Sequence, residues 1–138
     1  MSTLLTFKIN DPIVRVTPHF TLQEFGCRCP LCADKVQSID KRLIEKLEWV
    51  RGQLGEPVMI TSAWRSKEHQ EDLRMRGYET SVGVSQHELG RAADIYAQDL
   101  QNLLSLCRAT FQAIGVGRTF LHVDLRDDKP RLWSYSKR

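Results

Sequence analysis

The 138-residue sequence has no apolar run approaching the ~20 residues that span a bilayer, which excludes a helical membrane protein. Its start, Met1-Ser2-Thr3-Leu4-Leu5-Thr6-Phe7, lacks both a basic segment and a long apolar stretch. No secretory signal peptide is therefore expected, and synthesis in the cytoplasm is. Charge of one sign is lacking too. Lys and Arg number 20 against 17 Asp and Glu, the net charge is +3, and no dense basic stripe stands out, so there is no electrostatic case for a nucleic-acid partner. Internal repeats and low-complexity segments are absent. Cysteine is scarce, at four residues. A chain of this length buries roughly two thirds of its unfolded surface and needs no disulfide staples. With 41% hydrophobic and 27% charged residues, the composition is that of an ordinary soluble domain. One domain over residues 1–138 is expected, and a monomer, with residues 1–17 irregular around the breakers Pro12 and Pro18.

Patterning predicts a mixture of helices and short strands. Thr21 followed by Glu24 has the spacing of a capping box and starts a short helix. Ser38 opens a longer one, with Ile39, Leu43, Leu47, Val50 and Leu54 forming an apolar stripe that Gly55 and Pro57 end. Val58 to Thr61 reads as a short buried strand. Ser66 caps a polar helix running to Arg76, and residues 78 to 86 form a loop containing Gly83. Arg91 to Tyr96 reads as a strand. Asp99 caps a second amphipathic helix in which Leu100, Leu103, Leu104, Cys107, Phe111 and Ile114 recur, with Gly115 and Gly117 as its stop. Thr119 to Arg126 alternates most clearly as a strand. Without βαβ regularity the class is α+β: a small antiparallel sheet packed by two main amphipathic helices.

Three of the four cysteines, Cys27, Cys29 and Cys32, fall within six residues. Cysteines this close bridge poorly to one another, and a cytoplasmic origin disfavours disulfides. The C-x-C-x2-C spacing suits a structural zinc completed by His19 or Cys107; a turn of partly buried thiols around Pro30 is the other account.

Along the strand at 119–126, Leu121, Val123 and Leu125 share one face and His122, Asp124 and Arg126 the other. Asp94 lies on the polar face of the preceding strand, and His87 just before it. Two imidazoles and a carboxylate leave one tetrahedral position open, as in a catalytic rather than a structural zinc site. His87, Asp94 and His122 supply that set only if the two strands are neighbours. Otherwise the histidines are structural, and Asp94 caps or pairs with Arg91.

Three segments then carry a resemblance: Ile60-Thr61-Ser62-Ala63-Trp64-Arg65-Ser66, Ser85-Gln86-His87 running to Asp94-Ile95, and Phe120-Leu121-His122-Val123-Asp124-Leu125-Arg126. Together they resemble the zinc D-alanyl-D-alanine carboxypeptidases, a family that includes phage L-alanyl-D-glutamate endopeptidases and shares its fold with hedgehog signalling domains. The Phe20-x-Leu22-x-Glu24-Phe25 start before the cysteine turn resembles one branch of it.

The resemblance implies a zinc ion on His87, Asp94 and His122, with Arg65 binding or polarising substrate. It implies substrate-binding places for Gln70 and Ser85. Several relatives carry an acidic base three residues before the last histidine; here that position is Thr119. Asp124 is then the nearest acid, either taking a proton from the zinc water or orienting His122 from behind. Glu88 and His69 are other sources of a base. Trp133 and Tyr135 either wall a cleft or pack on the core, and residues 126–129 look like a solvated turn. The implied activity is hydrolysis of stem or cross-link peptides of bacterial peptidoglycan, by an endolysin released to the wall or a virion-associated protein. The rival is a zinc-stabilised structural or wall-binding module of a phage or prophage particle that catalyses nothing.

Overall fold

Leu43, Ile44, Leu47 and Val50 recur at helical spacing and are fully buried, and they define helix α1 (Lys41–Leu54) in a computed structural model that describes residues 2–78 and 85–135. The helix starts at Asp40, whose carboxylate accepts the Arg42 backbone N–H. It ends at Gly55, which adopts the left-handed conformation (φ 75°) that glycine tolerates at a helix stop. Ser38 and Ile39 precede the helix. They belong to strand β4 (Gln37–Asp40), which pairs antiparallel with β1 (Leu4–Phe7). Ile39 matches the helical period in sequence but is buried from an extended strand.

Residues 1–17, expected to be irregular, thus contribute β1 and also β2 (Arg15–Thr17), which pairs with β3 (Phe20–Thr21). The partner of β1 lies 30 or more residues along the chain, so no local signal announces the pairing. A 3₁₀ turn over Leu22–Phe25 follows β3. The Glu24 carboxylate accepts from the Thr21 backbone N–H, as the spacing predicts.

The main sheet has five strands: β5 (Met59–Ser62), β6 (Ala92–Tyr96), β7 (Ala113–Val116), β8 (Leu121–Asp124) and β9 (Arg131–Ser134). Their order is β5-β6-β8-β7-β9. All neighbours are antiparallel except β7 and β9, which run parallel, so the sheet is mixed and not wholly antiparallel. β5 is an edge strand with Met59 exposed, not the buried strand expected. Helix α2 (Lys67–Met75) starts at its predicted cap, Ser66, whose hydroxyl accepts the His69 N–H. The loop expected around Gly83 lies outside the described residues.

Helix α3 (Leu100–Arg108) is shorter than its apolar stripe implies. Phe111 and Ile114 extend the helical period by coincidence. Both are buried, but Phe111 follows the helix and Ile114 belongs to β7. Gly115 is not a helix stop. A Cβ there would lie 2.7 Å from ring atoms of Trp133 in β9 and of Tyr135 just after it, so the close packing of these rings requires glycine.

The sheet's two faces carry different chemistry. Ala93, Ile95, Leu121, Val123 and Ile114 join the core built with α1 and α3. The opposite face carries a row set by register: Ser62 opposite Asp94, Asp94 opposite His122, His122 opposite Gly115, and Gly115 opposite Trp133.

Candidate active site and a cysteine-histidine cluster

Register makes Asp94 and His122 direct cross-strand neighbours, a spacing at which side chains on one face touch. The third residue of the group, His87, comes from the turn before β6. Ser85, almost wholly buried, accepts the His87 backbone N–H, and the turn closes at Gly90 (φ 71°), where a Cβ would lie 2.6 Å from the Ser38 carbonyl oxygen. Only glycine lets the turn sit so close to β4.

The three side chains converge. Asp94 Oδ1 lies 3.1 Å from His122 Nδ1 and 3.5 Å from His87 Nε2. Two ligands held ~2.0–2.2 Å from a tetrahedral zinc stand roughly 3.3–3.6 Å apart; the His87 separation lies in that range and the His122 separation slightly under it, so a small outward shift of one ring accommodates a common ion. The outward ring nitrogens agree. His87 Nδ1 donates to the Ala63 carbonyl at 2.6 Å, and His122 Nε2 donates to Asp124 Oδ2 at 2.7 Å. Each ring therefore directs its other nitrogen toward Asp94, where it meets the carboxylate as a hydrogen-bond donor or, once unprotonated, offers a lone pair to a metal. The remaining oxygen of Asp94, Oδ2, pairs with Arg65 Nη2 at 2.8 Å, which leaves Oδ1 facing the histidines.

Electrostatics follow from this wiring. Burial alone would raise the Asp94 carboxyl, but the charge and hydrogen bonds of His87 and His122 outweigh it and hold the group well below the usual carboxylate range. Burial is the largest influence on His87 and pushes it down, against the pull of Asp94. Burial would lower His122 as well, yet its bonds to Asp124 and Asp94 prevail and raise it. Asp124 is held low against burial by His122 and Arg126.

Arg65 is buried, donating from Nε to Ser62 and from Nη1 to Gln70 Oε1. Gln70, also buried, therefore meets Arg65, while Ser85 meets the His87 backbone. Asp124 lies behind the His122 ring, on the side away from Asp94. Arg126, expected in a solvated turn, instead grips Asp124 through Nε and Nη2, and its guanidinium lies over Trp133, 5.4 Å from the ring centroid. Trp133 in turn sits 5.4 Å from the His122 ring, which the alternation of β9 alone could not reveal. Arg91 does not pair with Asp94; it donates to the Leu125 carbonyl. A cleft of about 570 Å³ opens beside the group, lined by Arg65, Asp94, Tyr78, Tyr96, Thr119 and Phe120 among others.

A second group forms where the cysteine turn meets α2. Cys27, Cys29 and Cys32 surround His69, with each sulfur 3.5–3.6 Å from Nδ1. The fourth member is thus His69 and neither residue expected from the sequence. His19 pairs with Glu48, and Cys107 is buried in the core, where burial pushes its thiol up to about 12. Spacing could not single out His69, because it stands 37 residues beyond the nearest cysteine.

Two imidazoles and one carboxylate beside an open cleft, each histidine fixed by a partner behind it, are the donor set of a hydrolytic zinc enzyme. The Peptidase M15 family model matches residues 18–124, and the chain belongs to that family of zinc-dependent metallopeptidases. No curated protein matches the chain. Among the described residues, no helix is long and apolar enough to cross a membrane.

Proposed function

We propose that the protein hydrolyses a peptide bond in the stem or cross-link peptides of bacterial peptidoglycan, in the manner of the carboxypeptidases and endopeptidases its motifs resemble. The convergence of His87 Nε2 and His122 Nδ1 on Oδ1 of Asp94, which lines the cleft, carries this reading. The chemistry zinc supplies when bound by these atoms is Lewis acidity toward a carbonyl and a water pKa lowered toward ~7.

The chain's own residues prepare that chemistry. The Ala63 carbonyl and the Asp124 carboxylate each hold a proton on the outward nitrogen of a histidine, which aims the other nitrogen inward. Of the two roles open to Asp124, orientation of His122 fits its place behind the ring. Arg65 fixes the unused oxygen of Asp94 and brings positive charge to the cleft wall that a peptide carbonyl or carboxylate would face. Gln70 and Ser85 act as positioning residues, bracing Arg65 and the His87 turn. Incubating purified peptidoglycan with the protein is expected to release new amino termini. That release should stop with a chelator and resume on adding zinc. Zinc-loaded protein that binds wall material but frees no amine would sink the peptidase reading.

Thr119 favours the second reading, a non-catalytic wall-binding or structural module. It lines the cleft where several relatives carry an acid, and Asp94, already paired with Arg65, is the only carboxylate among the described residues lining it. Glu88 is not among those residues, and His69 has its Nδ1 turned to the cysteines. Thr119→Glu is expected to raise turnover by about 10²–10⁴, the usual worth of a positioned general base. An unchanged kcat in a well-folded, zinc-loaded variant would show that the base comes from elsewhere.

A further inference from the structure

We propose that Cys27, Cys29, Cys32 and His69 bind a second zinc ion, structural in kind, which fastens the cysteine turn to the start of α2. This goes beyond the peptidase reading and does not depend on it. Three observations carry the proposal.

The first is distance. In a tetrahedron with Zn–S ~2.3 Å and Zn–N ~2.05 Å, the sulfur–nitrogen edge is roughly 3.6 Å. The three sulfurs stand 3.5, 3.6 and 3.5 Å from His69 Nδ1. All four donor atoms lie within 4.8 Å of one another.

The second is valence. An imidazole nitrogen has one lone pair or one proton, so it cannot satisfy three thiols through hydrogen bonds. A cation among the four atoms satisfies all of them. Apolar burial does not account for the gathering either, since Cys27 and Cys29 are only half-buried.

The third is the frame that holds the donors. Gln37 is fully buried, and its side chain spans the turn. Its Oε1 accepts the Cys27 N–H, and its Nε2 donates to the carbonyls of Cys27 and Cys32. From the other side, the Ser66 hydroxyl donates to the Leu31 carbonyl and accepts the His69 N–H. These bonds hold both halves through backbone groups, and Ser66 Oγ also reaches one donor atom, Cys32 Sγ, at 3.4 Å. Four protein ligands close the coordination sphere, so this site offers no open position for substrate, and thiolates with imidazole select zinc over harder cations. Its role is positional. His69 is followed by Gln70, which bonds Arg65, so the ion steadies the cleft wall that carries the arginine.

The test is metal analysis and cobalt spectroscopy on the full-length protein prepared with zinc under reducing conditions. Wild type is expected to hold two zinc equivalents, and cobalt exchange to give an intense thiolate-to-cobalt charge-transfer band. His87→Ala should lose one equivalent and keep that band, which separates this site from the catalytic one. Cys29→Ser should lose the band and keep the other equivalent. Should Cys29→Ser fail to fold, wild type itself decides: iodoacetamide should leave Cys27 and Cys29 unmodified until a chelator is added. One zinc equivalent without a thiolate band, rapid alkylation of both residues in zinc-loaded protein, or a disulfide among the three cysteines would each overturn the proposal.

Discussion

His122→Ala is expected to lower peptide hydrolysis by at least about 10³-fold, ~4 kcal/mol of transition-state stabilisation. The imidazole offers Nδ1 to the point it shares with Asp94 and His87, and a two-donor remnant holds zinc weakly. The fold should survive, because the carboxylate behind the ring keeps its grip on Arg126 through both oxygens. Zinc content should therefore fall by one equivalent, and the metal-free protein should unfold at a lower temperature, because the buried ring's bonds to Asp94 and Asp124 are lost with it. Unaltered zinc content in this variant would refute the assignment of His122 as a ligand.

Arg65→Leu is expected to act on stability, and to act differently with and without metal. In the metal-free protein, Arg65 and Asp94 form a buried pair, each side chain about 5–6% exposed. Removing the guanidinium leaves Asp94 Oδ2 without its partner and only the histidines to offset its charge, a loss of up to about 3–5 kcal/mol. Zinc on Asp94 supplies a replacement positive charge, so the loss should shrink in the loaded protein. Urea unfolding of wild type and variant, each with and without zinc, measures the difference. Equal losses in both forms would mean that Asp94 does not serve the metal.

How far the sequence could be read depended on whether a feature was local. Ser66 and Asp99 cap their helices as their positions imply, because a cap bonds backbone only two or three residues ahead. The alternation from Leu121 to Asp124 correctly puts aliphatic residues on the core and His122 and Asp124 together on the other face. β7 was hidden because Phe111 and Ile114 keep a helical period across a break between elements, where period alone cannot tell a strand from one more turn.

Which residue types could hold an ion, and that the chain is α+β with its chemistry on one polar strand face, was written in the order of amino acids, since periodicity and donor chemistry are properties of short segments. Chain folding alone chose the partners: Arg65 for Asp94, Trp133 for His122, His69 for the cysteine turn. Those pairings join residues from separate elements through strand register and helix docking, and such distances in space leave no trace in spacing along the chain.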